Sequence, residues 1–218
     1  MSDKELVAKT AEFVKKKFAD ESTGHDWWHM YRVRRLAKHI AKGEKDVNLT
    51  VVELAALLHD IADFKFYGGD FEAGPKAARQ WLKSLNAPEP TIVHVEDIVR
   101  NISYKGALIK PGLKTIEGQI VHDADKLDAM GAVGVARVLA YSGSAGIPIF
   151  TPGLPPAQPV KNPKNLITTT SSINHFHEKL LLLKDRMFTK TGKELAERRH
   201  KYMEDFLQEF HSEWDGKH

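Results

Sequence analysis

The sequence predicts an all-α protein, a compact multi-helix bundle with C-terminal helices packed on it and a long proline-rich loop. Three observations carry this. Apolar residues recur at the helical period along most of the chain, two Thr-x-x-Glu patterns resemble helix starts, and no segment reads as a confident strand. At 218 residues the chain fits a single domain with enough length to bury a core, and 42% hydrophobic with 28% charged residues is a globular composition.

Residues 4–18 set Leu6, Val7, Phe13, Val14 and Phe18 on one stripe, with Lys15, Lys16 and Lys17 toward solvent. A second helix runs from about Asp26 to Lys42, with Trp28, Val33, Leu36, Ala37 and Ile40 inward, and Trp27 also reads as core. Gly43 is its stop signal. Thr50 and Glu53 form a candidate capping box opening VVELAALLHDIADF, which is apolar on nearly every side and therefore central. Further helices are expected over 72–85, 90–103, 115–125, 129–141, 171–187 and 192–213, the last opened by Thr191 with Glu194. Leu180 to Leu183 reads as a buried run. Residues 143–165 are rich in proline and must form an irregular loop of unusual length, a candidate lid. The organisation is thus one domain over 1–218, with a core of about 24–142, the loop, and C-terminal helices over 171–213.

Composition excludes several functions. There is no cysteine, which removes disulfides, zinc–thiolate sites and thiol catalysis and fits a reducing, cytoplasmic setting. The start MSDKELVAKT lacks the apolar core of a secretory signal, and no run is long enough to span a membrane. A net charge of +3 with dispersed basic residues supports nucleic-acid binding only weakly; it suits a small phosphorylated substrate as well.

The chemistry-bearing set is His29, the adjacent pair His59-Asp60, and Asp125. Neighbours on a helix diverge by about 100°. His59 and Asp60 therefore serve one ion only near a helix end, and the polar KFYGGD that follows places such an end close by. Asp125, in HDADKLDAM, also lies at a helix junction, and His29 comes from a helix start. Two imidazoles and two carboxylates suit one divalent ion, with Mn, Fe, Co, Ni and Zn all open; the lack of thiolate argues against structural zinc. Such an ion lowers the pKa of bound water and polarises a phosphoryl oxygen.

In that order, HDWWHMYRV, ELAALLHDIAD and HDADKLDA resemble the H…HD…D signature of the HD-domain metal-dependent phosphohydrolases. SYKG at 103–106, DADKLDAMGAVGVARV, and the tail from NHFHEKLLLLKDRM onward resemble the small bacterial YedJ/YpgQ-type branch, over nearly the whole chain. The resemblance implies an all-α fold, one divalent ion of the Mn type (Co, Ni, Fe, Zn or Mg being alternatives), and cleavage of phosphoanhydride or phosphoester bonds in nucleotides. The branch points to a nucleoside triphosphate pyrophosphohydrolase or a nucleotide phosphatase.

Remaining roles follow from chemistry and this resemblance together. Asp63 is three residues past Asp60 and would orient the attacking water or accept its proton. Guanosine-tetraphosphate hydrolases of the superfamily carry a carboxylate at that position and an asparagine where this chain has Ala129, which weakens that alternative. Arg32, Lys105, Lys126 and Lys179 would grip phosphoryl oxygens, and Asp128 would be a second acid or a ribose contact. Trp27, Trp28 or the loop at Phe150 would stack a base.

Competing readings are a non-catalytic nucleotide- and metal-binding regulatory module, and a di-iron oxygenase. The latter needs Glu-x-x-His twice, and the chain has it once, from Glu197 to His200. His25-Asp26 and His122-Asp123 read as surface residues or supports behind the ligands, with Asp26 orienting the His29 ring. His94 and His122 suggest a second ion only weakly. The amphipathic tail helix is compatible with a homodimer.

Overall fold

The computed structural model describes residues 1–19, 26–62, 70–102, 112–156 and 169–217. Its order is α1 (Asp3–Lys17), α2 (Trp27–Ala41), α3 (Leu49–Leu58), α4 (Ala73–Ser84), α5 (Glu89–Ile102), α6 (Ile116–Asp128), α7 (Gly131–Ser144), α8 (Ser172–His175) and α9 (Lys190–Trp214). Among the described residues there is no strand, so the fold is all-α as the periodicity predicts. Two compact units divide the chain, one of residues 1–104 and 111–125, the other of 105–110 and 126–218.

In the first unit α3 is central. It packs against α1, α2 and α5, and Val51, Val52 and every residue from Leu54 to Leu58 are buried. Trp81 of α4 stacks on Phe13 of α1 at 3.8 Å and donates from its indole to Thr10 Oγ1 at 3.0 Å, so its polar edge is satisfied inside an apolar contact. The pairing of α4 with α5 is laced by charge: Arg79 bonds Glu89 and Glu96, and Arg100 bonds Glu72 and Glu96.

Two helix starts differ from expectation. Asn48, not Thr50, caps α3, accepting from Val51 N at 3.2 Å. Thr50 instead donates to Asp3 Oδ2, and Glu53 pairs with Arg34 and Lys38. Thr189, not Thr191, caps α9, accepting from Gly192 N at 3.0 Å. In both cases a second good capping residue sits two positions upstream, and the helix starts there. Trp28 is a clearer correction: it is 58% exposed, since it sits on the first turn of α2 facing away from Met30 and Val33. Trp27 is half-buried.

In the second unit α7 packs on α9. The turn from α6 into α7 needs its glycines. Gly131 has φ +70°, and a Cβ on Gly134 would stand 2.3 Å from Ala129 O. The helix expected over 171–187 is not uniform. α8 opens into a π turn, Phe176–Leu180, then tightens to a 3-10 segment, Leu181–Arg186. Burial still falls at Ile173, Phe176, Leu180, Leu183 and Met187, because wide and tight winding offset one another and keep the average period helical. Leu182 is exposed, so Leu180 to Leu183 is buried on one side only.

The described part of the proline-rich loop is tied to α8. Pro148 O accepts from Ser172 N, Ile149 O from Ile173 N, and Leu154 O from the Asn174 amide. Phe150 lies edge-on to Phe210, His211 and Trp214, so its ring is engaged with α9. No described helix is long and apolar enough to cross a membrane.

Candidate metal centre

Each of three helices contributes through one of its ends. α2 starts at Trp27 because Asp26 caps it, its Oδ1 accepting from His29 N at 2.8 Å. Asp26 thus fixes the backbone of His29, a more direct control than the ring support expected from sequence. α3 stops at Leu58, and His59-Asp60 occupies the turn that follows, closed by Ile61 N on Leu58 O. This is the helix end that two adjacent ligands require. Asp125 stands in the last turn of α6.

All four side chains converge within the first unit. His29 Nε2 is 3.2 Å from His59 Nε2, 3.6 Å from Asp60 Oδ2 and 3.5 Å from Asp125 Oδ1. His59 Nε2 is 3.4 Å from Asp60 Oδ2 and 3.7 Å from Asp125 Oδ1. Ligands at about 2.1 Å from one ion stand about 3.0 Å apart at right angles and about 3.4 Å apart in a tetrahedron. The observed separations match those edges to within a few tenths of an ångström. His29, His59 and Asp125 each offer an atom within 4.8 Å of the others, and Asp60 lies against both rings.

The backbone orients the His59 ring. His59 Nδ1 is 2.9 Å from Ala56 O, and a carbonyl can only accept, so Nδ1 carries a hydrogen and Nε2 is the ring atom turned to the cluster. The rings are buried, at 1% and 2% side-chain exposure, whereas the Asp60 and Asp125 side chains are 19% and 20% exposed. The acids therefore form the open side. With neutral rings, two carboxylates leave a local charge suited to a divalent cation.

The other residues singled out from sequence fall as follows. Asp63, Lys105 and SYKG lie outside the described residues, as does the loop over 157–165. Arg32 is half-buried on α2. In the second unit Lys126 and Asp128 are buried, Asp128 paired with Arg137 at 3.0 Å, and Lys179 is half-buried in the π turn. His122 and Asp123 are buried and 3.2 Å apart, not at the surface. His94 faces Thr115, just before α6, and Glu117 in its first turn. The Ala56 carbonyl had no sequence signal, since any residue carries one. The Asp26 cap had one, an aspartate directly before an apolar-periodic stretch.

An all-α protein with a His-His-Asp-Asp cluster at three helix ends defines a class, the helical divalent-metal hydrolases. Residues 27–130 match the HD domain family. YpgQ of Bacillus subtilis is 35% identical over 206 residues, 94% of this chain and 91% of its own. An HD-superfamily hydrolase from Bacillus thuringiensis superposes with TM-score 0.75 at 39% identity, covering 98% of this chain and 99% of that one. A crystal structure of B. subtilis YpgQ in complex with ADP superposes with TM-score 0.72 at 32% identity, covering 95% and 97%. The chain belongs to the HD-domain hydrolase superfamily, alongside YpgQ.

Proposed function

We propose that this protein is a metal-dependent phosphohydrolase of nucleotides, cutting nucleoside triphosphates to monophosphate and pyrophosphate. The observation that carries the reading is the four-residue cluster with its 3.2–3.7 Å separations and the His59 ring oriented on Ala56 O. The ADP bound by YpgQ supports the nucleotide class.

His29, His59, Asp60 and Asp125 would hold one divalent ion, manganese being our first choice. Such an ion, when bound, acidifies a water and draws charge from a phosphoryl oxygen. The two aspartates face solvent, where a phosphate arrives, and the buried imidazoles keep the site rigid behind them. Asp63 follows on the same segment and would take the proton of the attacking water. Arg32, Lys105, Lys126 and Lys179 would neutralise phosphoryl oxygens, the larger share of catalysis in this reaction. Asp128, buried against Arg137, serves better as a support than as a substrate contact.

The test is a turnover screen of nucleoside mono-, di- and triphosphates with Mn, Co, Ni, Mg and Zn, reading phosphate and pyrophosphate separately. Pyrophosphate release from triphosphates is the expected result. Tight nucleotide binding without turnover in any metal would favour a regulatory module instead.

A further inference from the structure

The C-terminal end of α6 carries an electrostatic problem. A helix C-terminus bears partial negative charge and carbonyls lacking their usual partners, and acids there are unfavourable. Asp125 and Asp128 both lie in this last turn. Tight backbone bonds take up part of the deficit, Ala129 N on Lys126 O at 3.1 Å and Met130 N on Leu127 O at 3.0 Å.

Two guanidinium groups take up more. Arg199 of α9 donates from Nη1 to Leu127 O. Arg137 of α7 donates from Nη1 to Asp128 O at 3.4 Å and to Asp128 Oδ2 at 3.0 Å. Asp128 is only 1% exposed, and burial lowers the pKa of Arg199 while Asp128 acts the other way. An arginine keeps its charge in such a place. Room for it is built in: a Cβ on Gly131 would come within 3.1 Å of Arg199 Cγ. The glycine that turns the chain after α6 thus also admits the arginine stem.

We infer that Arg199 is a positioning residue for Asp125. It clamps the carbonyl two residues beyond Asp125 on the same helix, assisted by Arg137 on Asp128. Helix ends ordinarily fray. A carboxylate in a fraying turn would sample many positions, whereas one in a clamped turn holds the separations given above. The restraint passes along the backbone of α6 alone. This inference rests on the metal-site reading.

The test titrates the full-length protein with Co(II) alone and follows the visible absorption of the bound ion. Wild type is expected to bind one equivalent. Arg199→Ala is expected to bind up to about 10-fold more weakly, the low end of the cost of losing a group bonded to a ligand itself, with a shifted band. Arg199→Lys, which keeps a donor and the charge, recovers part of the loss. Met203→Ala, buried on the same helix, lowers the unfolding temperature but leaves Co(II) affinity within about 2-fold of wild type. Unchanged affinity and band in Arg199→Ala, or an equal loss in Met203→Ala, overturns the clamp. Should Arg199→Ala fail to fold, Arg199→Lys and Arg137→Gln decide: weakened binding in both supports the clamp, and wild-type spectra in both overturn it. Failure of wild type to bind Co(II) removes the metal reading itself, a separate result.

Discussion

His59 in the first unit and His175 in the second each turn Nδ1 toward an oxygen a few residues back, Ala56 O at 2.9 Å and Thr169 Oγ1 at 3.0 Å. Their other surroundings are opposite. His59 Nε2 meets two carboxylates at 3.4 and 3.7 Å. His175 has the cation Lys179 as its charged neighbour, and burial, aided by that cation, lowers its pKa to about 4. A fold can bury an imidazole in either setting. Which acids or bases the neighbouring helix ends supply decides whether the ring can serve a cation or only remain neutral.

The widest separation between the two histidines should show in activity. Asp60→Ala removes a carboxylate facing both rings of the cluster and should cut nucleotide turnover at least 1,000-fold, about 4 kcal/mol in barrier; His175→Gln should leave it within a few-fold. Full turnover in Asp60→Ala would dissolve the contrast.

Stability against pH reverses the roles. The folded pKa of His175 lies below the unfolded value of 6.5, so between those values the unfolded chain binds the extra proton. The associated stability is present above pH 6.5, declines as pH falls, and is fully lost near pH 4, a change on the order of 3 kcal/mol. Urea unfolding at pH 7 and pH 4.5 should show a smaller pH effect in His175→Gln than in wild type.

Smaller changes sharpen how the first unit holds its ring. Asp26→Ala deletes the cap on His29 N and should cost about 1 kcal/mol in thermal or urea unfolding, with Asp26→Asn recovering most of it. Trp28→Ala, at an exposed site, should stay within about 1 kcal/mol of wild type, and a loss of several would restore the core reading of that residue.

Much of this was legible from residue order. The helical period located nearly every helix to within about three residues, since a buried stripe constrains both ends of a pattern. The three segments holding His29, His59-Asp60 and Asp125 stood out by their order, which resembles the H…HD…D signature; the need for a helix end applied to the adjacent pair alone, and the polar residues that follow it supplied that end. What escaped depends on the third dimension. Asn48 against Thr50 and Thr189 against Thr191 are near-equal caps, and only packing selects the register. Trp28 stands five residues before Val33, about 140° round the helix, so the apolar side chain falls on the outer face of α2 while His29, Met30 and Val33 are buried. The π and 3-10 winding after α8 leaves the apolar spacing unchanged and so leaves no trace in it. Arg199 lies more than seventy residues from the carbonyl it holds, and the chain contains many arginines.

The contrast between walled-in rings and partly wetted acids gives the cluster a front and a back. If the cluster holds an ion as proposed, a chelator or a competing cation would approach past Asp60 and Asp125, its more exposed members, and residence time of the ion would depend on how fast those two oxygens let go. The His59 ring, held from behind by Ala56 O, and His29, its backbone fixed by the Asp26 cap, would act as a fixed seat to which one cation after another could return.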